Sequence, residues 1–170
     1  MLIVVIRTRM NYLFSRDYFP IPTRITRNLN YPFWHLEDVL LPLFEKDYTY
    51  DSLRETIRSA NHIWCAYENN TCLGCVLMTD IGSNGGLYMM LFGVRKSVQG
   101  RGIGKQLLES IIRWSRMQGY RFISLHTEYD NRKAIQMYER AGFQPGYHQE
   151  DYIEALPQFG SDVVSLLLYL

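Results

Sequence analysis

Apolar positions in the middle of the chain follow the spacing of strands. Two short runs in HIWCAYENNTCLGCVLMTD flank the polar stretch Glu68–Thr71, which predicts a hairpin turn. The segment GLYMMLFGV is apolar at consecutive positions, so both faces of this strand are expected to be buried. The second glycine of this segment, Gly93, is expected to mark a local bulge. FISLHTE and VVSLLLYL predict two further strands.

Other segments follow the spacing of helices. A helix is predicted around Leu36 to Glu45, and Asp51 is placed to cap a second one over Ser52 to Ala60. After a glycine-rich stretch, apolar residues recur every three or four positions as far as Gly119, which predicts an amphipathic helix with a glycine stop.

A last short helix is predicted over RKAIQMYERA. Asp130 or Asn131 can cap its start, and Gly142 ends it. The order is then helices, an antiparallel meander, and strand-helix-strand-helix-strand. This order predicts an α/β domain built on a mixed sheet.

Composition narrows the class of protein. The chain has 170 residues, 47% of them hydrophobic, which is typical of one domain with a real core. A formal net charge of +1 gives no electrostatic case for binding nucleic acid or a membrane surface. The apolar runs at both ends are too short to span a membrane, and three cysteines do not predict a disulfide framework. We therefore expect a soluble cytoplasmic protein, with residues 1–22 as an extension packed on the domain.

The stretch VQGRGIGK lies between a predicted strand and a predicted helix, where glycine-rich turns often hold phosphate. A nucleotide-hydrolysis loop requires a hydroxyl residue after the lysine, but Gln106 follows Lys105. A dinucleotide loop requires G-x-G-x-x-G, and Gly104 comes one position early. A pyrophosphate held by consecutive backbone N–H groups remains. The loop has positive charge around it, from Arg95, Lys96, Arg101 and Lys105.

Two motifs together resemble the GNAT superfamily of N-acetyltransferases. Gln99-Gly100-Arg101-Gly102-Ile103-Gly104 is similar to the acetyl-CoA loop of that family, R/Q-x-x-G-x-G/A. The segment from Asn131 to Phe143 is similar to its N-x-x-A-x-x-x-Y-E-x-x-G-F motif. The resemblance covers residues 23–170. It implies the GNAT fold, a mixed and mostly antiparallel sheet of about seven strands flanked by about four helices, and transfer of the acetyl group of acetyl-CoA to a primary amine.

The resemblance also implies a set of site residues. Direct attack of the amine in a ternary complex requires a donor for the leaving thiolate, and the position of Tyr138 matches the family's acid. Coenzyme contacts are implied for the backbone of the strand before the loop, for the loop itself and for the motif that follows: Leu91, Phe92, Val94, Gln99, Gly100, Arg101, Gly102, Ile103, Gly104, Lys105, Asn131 and Tyr138.

The resemblance does not identify a single general base. Many relatives use a glutamate on the fourth strand, and GLYMMLFGV contains no acidic residue. Tyr88 and His126 resemble the tyrosine and histidine that relay a proton from the α-amine in eukaryotic-type N-terminal protein acetyltransferases. Histidine suits this role because its pKa lies near neutrality. Glu128, on the same strand face as His126, is the reserve base.

The acceptor stays open between classes. A protein or peptide amine is favoured, with Tyr147 and Tyr152 placed where the N-terminal acetyltransferases carry tyrosines that close over the peptide. A small amine such as a polyamine or aminoglycoside is the alternative, with an acidic rim from Asp47, Asp51, Glu150, Asp151 and Glu154. A non-catalytic domain that binds acyl-CoA is the competing class.

Two pairs of residues in the predicted hairpin have a spacing similar to that of zinc ligands. His62 and Cys65, and Cys72 and Cys75, are spaced like metal ligands. Residues three apart on a strand point to opposite faces, so each pair would need a knuckle in place of a regular strand. The cysteines are expected to be core residues, with no metal bound.

Overall fold

The computed structural model describes residues 24–27, 32–82, 85–146 and 162–170. The proposed extension (1–22) lies outside these residues, as do Tyr147, Tyr152 and the acidic positions Glu150, Asp151 and Glu154.

The predicted α/β architecture is confirmed, since the described residues form one seven-stranded sheet and four α-helices. The strands run in the spatial order β1-β2-β3-β4-β5-β7-β6. Only the β4–β5 pair is parallel, and the other five neighbouring pairs in the described sheet are antiparallel. The strands are β1 (Arg24–Arg27), β2 (His62–Glu68), β3 (Thr71–Ile81), β4 (Gly86–Val94), β5 (Phe122–Glu128), β6 (Gln144–Pro145) and β7 (Val163–Tyr169). The helices are α1 (Phe33–Phe44), α2 (Tyr50–Ser59), α3 (Ile103–Gln118) and α4 (Arg132–Arg140).

Each face of the sheet carries its own core. On one side, here the α3 face, Leu107, Leu108 and Ile111 of α3 pack on strand residues such as Leu87 and Ile123, and α4 adds Tyr138. On the other side, the α1 face, α1 and α2 cover residues of β2, β3 and β4. The central strands are therefore buried on both faces, as their continuous apolar runs predict.

Helix ends follow local sequence. The cap of α2 is Thr49, whose side chain accepts from the backbone of Ser52 in a reciprocal capping box, so the predicted cap at Asp51 was wrong. Asn131 caps α4, and its side chain accepts from the N–H of Ala134 at 3.4 Å. Gly119 ends α3 in the left-handed conformation, as predicted.

A bulge lies in β4, but not at Gly93. Leu77 of β3 pairs with Leu91 while Met78 pairs with Met89, so Met90 has no partner across the ladder. The extra residue changes which positions face each side of the sheet. Met89 lies on the α3 face and Leu91 on the α1 face.

Gly93 has a different role, because it pairs with Cys75 in regular register. A Cβ at this position would lie 2.9 Å from the methyl carbons of Leu40 and Leu43. The missing side chain therefore lets α1 approach the second half of β4 closely.

Candidate active site

A gap opens between the two parallel strands at the centre of the sheet. In the described structure β4 and β5 pair only over Gly86–Met89 and Phe122–Leu125. Further along, β4 remains paired with β3, while β5 remains paired with β7. Each strand therefore turns one edge towards the gap, and the predicted coenzyme contacts Leu91, Phe92 and Val94 lie along the β4 edge. A ligand that carries amides can satisfy such backbone groups.

The glycine loop, Gln99–Lys105, leads from the end of β4 into α3. Gly100 and Gly102 have φ of 81° and 79°, a conformation that favours glycine, and Gly102 is the residue before the first turn of α3. Among the described side chains none caps this helix start. The first intrahelical backbone bond that closes on the loop runs from Gln106 to the Gly102 carbonyl. The N–H groups of Ile103, Gly104 and Lys105 therefore point out of the helix start, in the geometry that binds anions.

Side chains of the loop are held by protein partners. The amide of Gln99 donates to the Val94 carbonyl at 2.9 Å, which ties the loop to the end of β4. Arg101 lies 3.6 Å from the carboxylate of Glu68, and Lys105 lies 3.7 Å from Glu109. One N–H of the Gln99 side chain is thus engaged with the protein, and Arg101 and Lys105 each have a carboxylate partner.

Arg95 does not take part in the positive rim that the sequence suggests. Its guanidinium donates to the Cys72 carbonyl and lies 3.6 Å from Asp38 of α1. Both partners lie on the α1 side of the strand end. Arg95 therefore fastens the root of the loop to the β2–β3 hairpin and to α1.

Tyr138 lies on the α3 face, directly beside the point where the strands part. Its hydroxyl donates to the sulfur of Met89 at 3.8 Å, and Met89 belongs to the last rung that joins β4 to β5. The ring packs against Phe92 and Phe143, with centroids 6.2 Å and 5.6 Å away. Burial raises the pKa of Tyr138, so the phenol stays protonated at neutral pH.

Tyr88 and His126 form a pair at the same height on the opposite face. Tyr88 pairs with Ser124 across the parallel rung, and His126 follows two residues later on the same side. The Tyr88 hydroxyl and Nδ1 of His126 are hydrogen-bonded at 3.2 Å. Tyr88 is buried, whereas His126 is half-buried. The imidazole is therefore the more accessible member, and the phenol fixes its orientation.

The remaining candidates lie at the edge of the site. Glu128 is the last residue of β5 and is exposed on the side of His126. Asn131 is exposed at the start of α4, where its side-chain oxygen is engaged as the helix cap. Asp47 and Asp51, the described members of the predicted acidic rim, are exposed near the start of α2.

The three cysteines of the zinc-like spacing lie together on the α1 face, but His62 does not join them. His62 lies among Trp64, Trp114 and Tyr120, whereas Cys65 lies in the core under α1, as expected for residues three apart. Cys72 and Cys75 do share the α1 face, because a register shift opposite Ala66 and Tyr67 intervenes. Over the described ranges no group of three or more His, Cys, Asp or Glu side chains is arranged to hold a metal ion.

Comparison with known proteins decides the family. The model of the acetyltransferase (GNAT) family matches residues 26–143. The chain belongs to the GNAT acetyltransferase family. No helix in the described part of this GNAT chain has the length and apolar character needed to cross a membrane.

Relatives of the GNAT chain are distant. It is 33% identical over 86 aligned positions to a mycothiol acetyltransferase of Propionibacterium freudenreichii, an alignment that covers 44% of the chain and 27% of that relative. The chain therefore spans only about a quarter of the length of the mycothiol acetyltransferases it matches. It is 27% identical over 121 positions to N-alpha-acetyltransferase 30 of Schizosaccharomyces pombe, covering 66% of the chain and 80% of that protein.

A solved structure shares the fold. The acetyltransferase of Bacillus subtilis in complex with CoA superimposes with a TM-score of 0.67, covering 87% of this chain and 99% of that one at 20% identity. This agreement shows that the GNAT chain has the family's fold.

Proposed function

We propose that this chain is an acetyl-CoA-dependent N-acetyltransferase that modifies a protein or peptide amine, with an α-amine as the favoured acceptor. One observation carries the proposal: Tyr138 and the Tyr88–His126 pair lie on opposite faces of the sheet, where β4 and β5 part. A donor for the leaving group and an acceptor for the amine proton thus flank one opening.

The coenzyme side of the site lies along β4, the glycine loop and α4. The outward N–H groups at the start of α3 suit a pyrophosphate, and the open edge of β4 suits the amides of a pantetheine arm. The amide of Asn131 extends this edge on the α4 side. When bound, acetyl-CoA supplies an activated acyl group, and these contacts would set its carbonyl at the opening.

The two proton-transfer groups have complementary roles. Tyr138 remains a phenol because burial raises its pKa, so it can donate to the departing thiolate. His126 can take the proton that the amine loses, directly or through a water molecule, while Tyr88 holds the imidazole in place. An α-amine has a pKa near 8, so a base of modest strength is sufficient.

Both a relative and the surroundings of the site favour a peptide acceptor over a polyamine. The alignment with N-alpha-acetyltransferase 30 extends over most of that protein, and the Tyr88–His126 geometry is consistent with a relay suited to an α-amine. A polyamine site should be acidic. The described acidic residues near the start of α2 are exposed, whereas the side chains that cluster with Tyr88 are hydrophobic: Ile81, Met90, Phe122 and Leu167.

The test is acetyl transfer across a matched panel. The acceptors are a peptide with a free α-amine, the same sequence with a blocked N-terminus and one lysine, and the polyamine spermidine. Thiol release gives the rate, and mass spectrometry gives the modified nitrogen. Turnover of the first peptide alone is expected. Turnover of spermidine alone would overturn the acceptor class, and tight acetyl-CoA binding without thiol release on any amine would overturn catalysis.

A further inference from the structure

Glu68 brings a carboxylate to the glycine loop, where the proposed function requires an anion to bind. It is the last residue of β2, and its Oε1 lies 3.6 Å from a terminal guanidinium nitrogen of Arg101. The Glu68 and Arg101 side chains are 26% and 24% exposed. The pair is thus partly shielded from solvent, so its charges interact more strongly than those of a fully exposed pair.

The backbone around Glu68 fixes the carboxylate in this position. Glu68 pairs with Thr71 across a two-residue turn whose residues, Asn69 and Asn70, have φ of 47° and 65°. Just beyond the turn, the Leu73 carbonyl accepts from the N–H of Arg95 at 2.9 Å. The tip of the hairpin is therefore attached to the root of the glycine loop.

The position of Glu68 creates a competition for Arg101. The N–H groups at the start of α3 favour a phosphate group, and Arg101 lies within the same loop, between Gly100 and Gly102. The carboxylate of Glu68, 3.6 Å from Arg101, opposes the charge of that phosphate and draws the guanidinium towards itself. The terminal nitrogen of Arg101 that lies nearest to Glu68 can turn towards only one of the two anions at a time.

The second ion pair of the loop is much more exposed to solvent than the Glu68–Arg101 pair and therefore serves as a control. Lys105 and Glu109 are one turn apart on α3, at 3.7 Å, and their side chains are 75% and 52% exposed. Such pairs contribute little, and their partners separate freely.

We propose that Glu68 is the resident counter-charge of Arg101, which lowers the affinity of the site for the phosphates of coenzyme A and so speeds coenzyme release. This inference rests on the proposed function. Arg101 exchanges Glu68 for a phosphate oxygen when the coenzyme binds and returns to Glu68 when it leaves. Glu68 then sets the affinity of the coenzyme site and takes no part in the proton transfers.

Glu68→Gln is the direct test, because it removes the charge and keeps the size. Calorimetric titration with acetyl-CoA and with CoA is expected to show binding about three- to tenfold tighter than in the wild type, with a correspondingly slower release in stopped flow. Glu109→Gln, the matched control, is expected to change the affinity by less than about twofold. Thermal melts of both variants establish that they are folded.

A second background isolates the role of Arg101. In Arg101→Gln, the gain from Glu68→Gln is expected to shrink to below about twofold, since no cation remains to be released. An equal gain in both backgrounds would mean that Glu68 acts by simple repulsion, and would overturn the exchange. Repeating the titrations with dephospho-CoA separates the pyrophosphate from the 3′-phosphate as the group that Arg101 meets.

The failure of this inference is distinct from that of the proposed function. Wild-type protein that binds neither acetyl-CoA nor CoA would remove the proposed function itself. Wild-type protein that binds acetyl-CoA, with an unchanged affinity in Glu68→Gln, would remove only the role of Glu68.

Discussion

The hydroxyl of Tyr138 donates to the sulfur of Met89 across 3.8 Å, at the last rung that joins β4 to β5. Thioether sulfur is a weak acceptor, so this bond is easily exchanged for a stronger one. The ring itself is held by Phe92 and Phe143. The phenol is thus fixed in place while its proton is loosely engaged, an arrangement suited to a general acid.

Tyr138→Phe removes the hydroxyl and keeps the ring. We expect turnover to fall about 100-fold, the lower end of the range for a general acid, while acetyl-CoA affinity changes by less than about twofold. Steady-state kinetics and direct binding measure the two effects separately. Tyr120→Phe is the control, since Tyr120 donates to Asp80 at 2.6 Å, away from the gap. Equal turnover in wild type and Tyr138→Phe would remove the acid role.

His126→Ala removes the accessible member of the Tyr88–His126 pair. We expect kcat/KM at neutral pH to fall about 100-fold, because the amine proton loses its acceptor. His35→Ala is the matched control, because His35 and Tyr67 form a similar pair at 3.0 Å on α1 and β2. An unchanged kcat/KM in His126→Ala would exclude it as the base.

Two glycines of the loop are predicted to respond differently to substitution. At Gly102 a Cβ would contact nothing within 4 Å, so the penalty comes from the positive φ alone. We expect Gly102→Val to lower the free energy of unfolding by about 1–2 kcal/mol and Gly102→Asn by less. Gly104→Ala keeps a helical backbone and places its Cβ 3.2 Å from the sulfur of Met137, a flexible neighbour. Its net effect should be within about 1 kcal/mol, because helix propensity offsets the contact. Urea unfolding compares the three.

A carboxylate between α1 and α2 should make stability depend on pH. Glu37 is buried and accepts from Arg54 and from Tyr50, the latter at 2.7 Å. Burial alone would raise the pKa of Glu37, but the hydrogen bonds from Arg54 and Tyr50 outweigh it and lower the pKa. The stabilisation is therefore complete above the unfolded value of about 4.3 and is lost as the pH falls through the folded value.

Glu37→Gln tests this linkage. The variant should be less stable than the wild type at pH 7, and the difference should narrow below about pH 4, where the unfolded chain binds a proton before the folded protein does. Urea midpoints from pH 3 to 7 follow the trend. Glu55→Gln, an exposed carboxylate on α2, serves as the control. A difference that stays constant across the range would contradict the lowered pKa.

Local sequence was sufficient for the parts of the fold that depend on local chemistry. The helix that starts after Gly102 and stops at Gly119 and the five longer strands follow from apolar spacing and turn residues. For the cap of α4 the sequence offered Asp130 or Asn131, and the structure has Asn131. The strands β1 and β6 were not predicted, because four residues and two residues carry no periodic signal and depend on pairing with a neighbour.

Contacts between residues far apart in the chain could not be predicted from the sequence. Arg95 and Arg101 look alike in the loop, yet one is directed to Cys72 and Asp38 and the other to Glu68. The site of the bulge was also hidden, since β4 is apolar on both sides and an added residue leaves no break in the pattern. The chemical roles of the site residues remain predictions that the experiments above address.

The unpaired Met90 gives β4 one residue more than its ladder with β3 requires. Deleting Met90 would close the bulge and bring Met89 and Leu91 into regular alternation, so Phe92 would stay on the α3 face and Gly93 would stay against α1. Gly93 has no such freedom, since even a methyl carbon there would meet Leu40 and Leu43 at 2.9 Å. A variant library should therefore retain the deletion of Met90 and eliminate substitutions of Gly93.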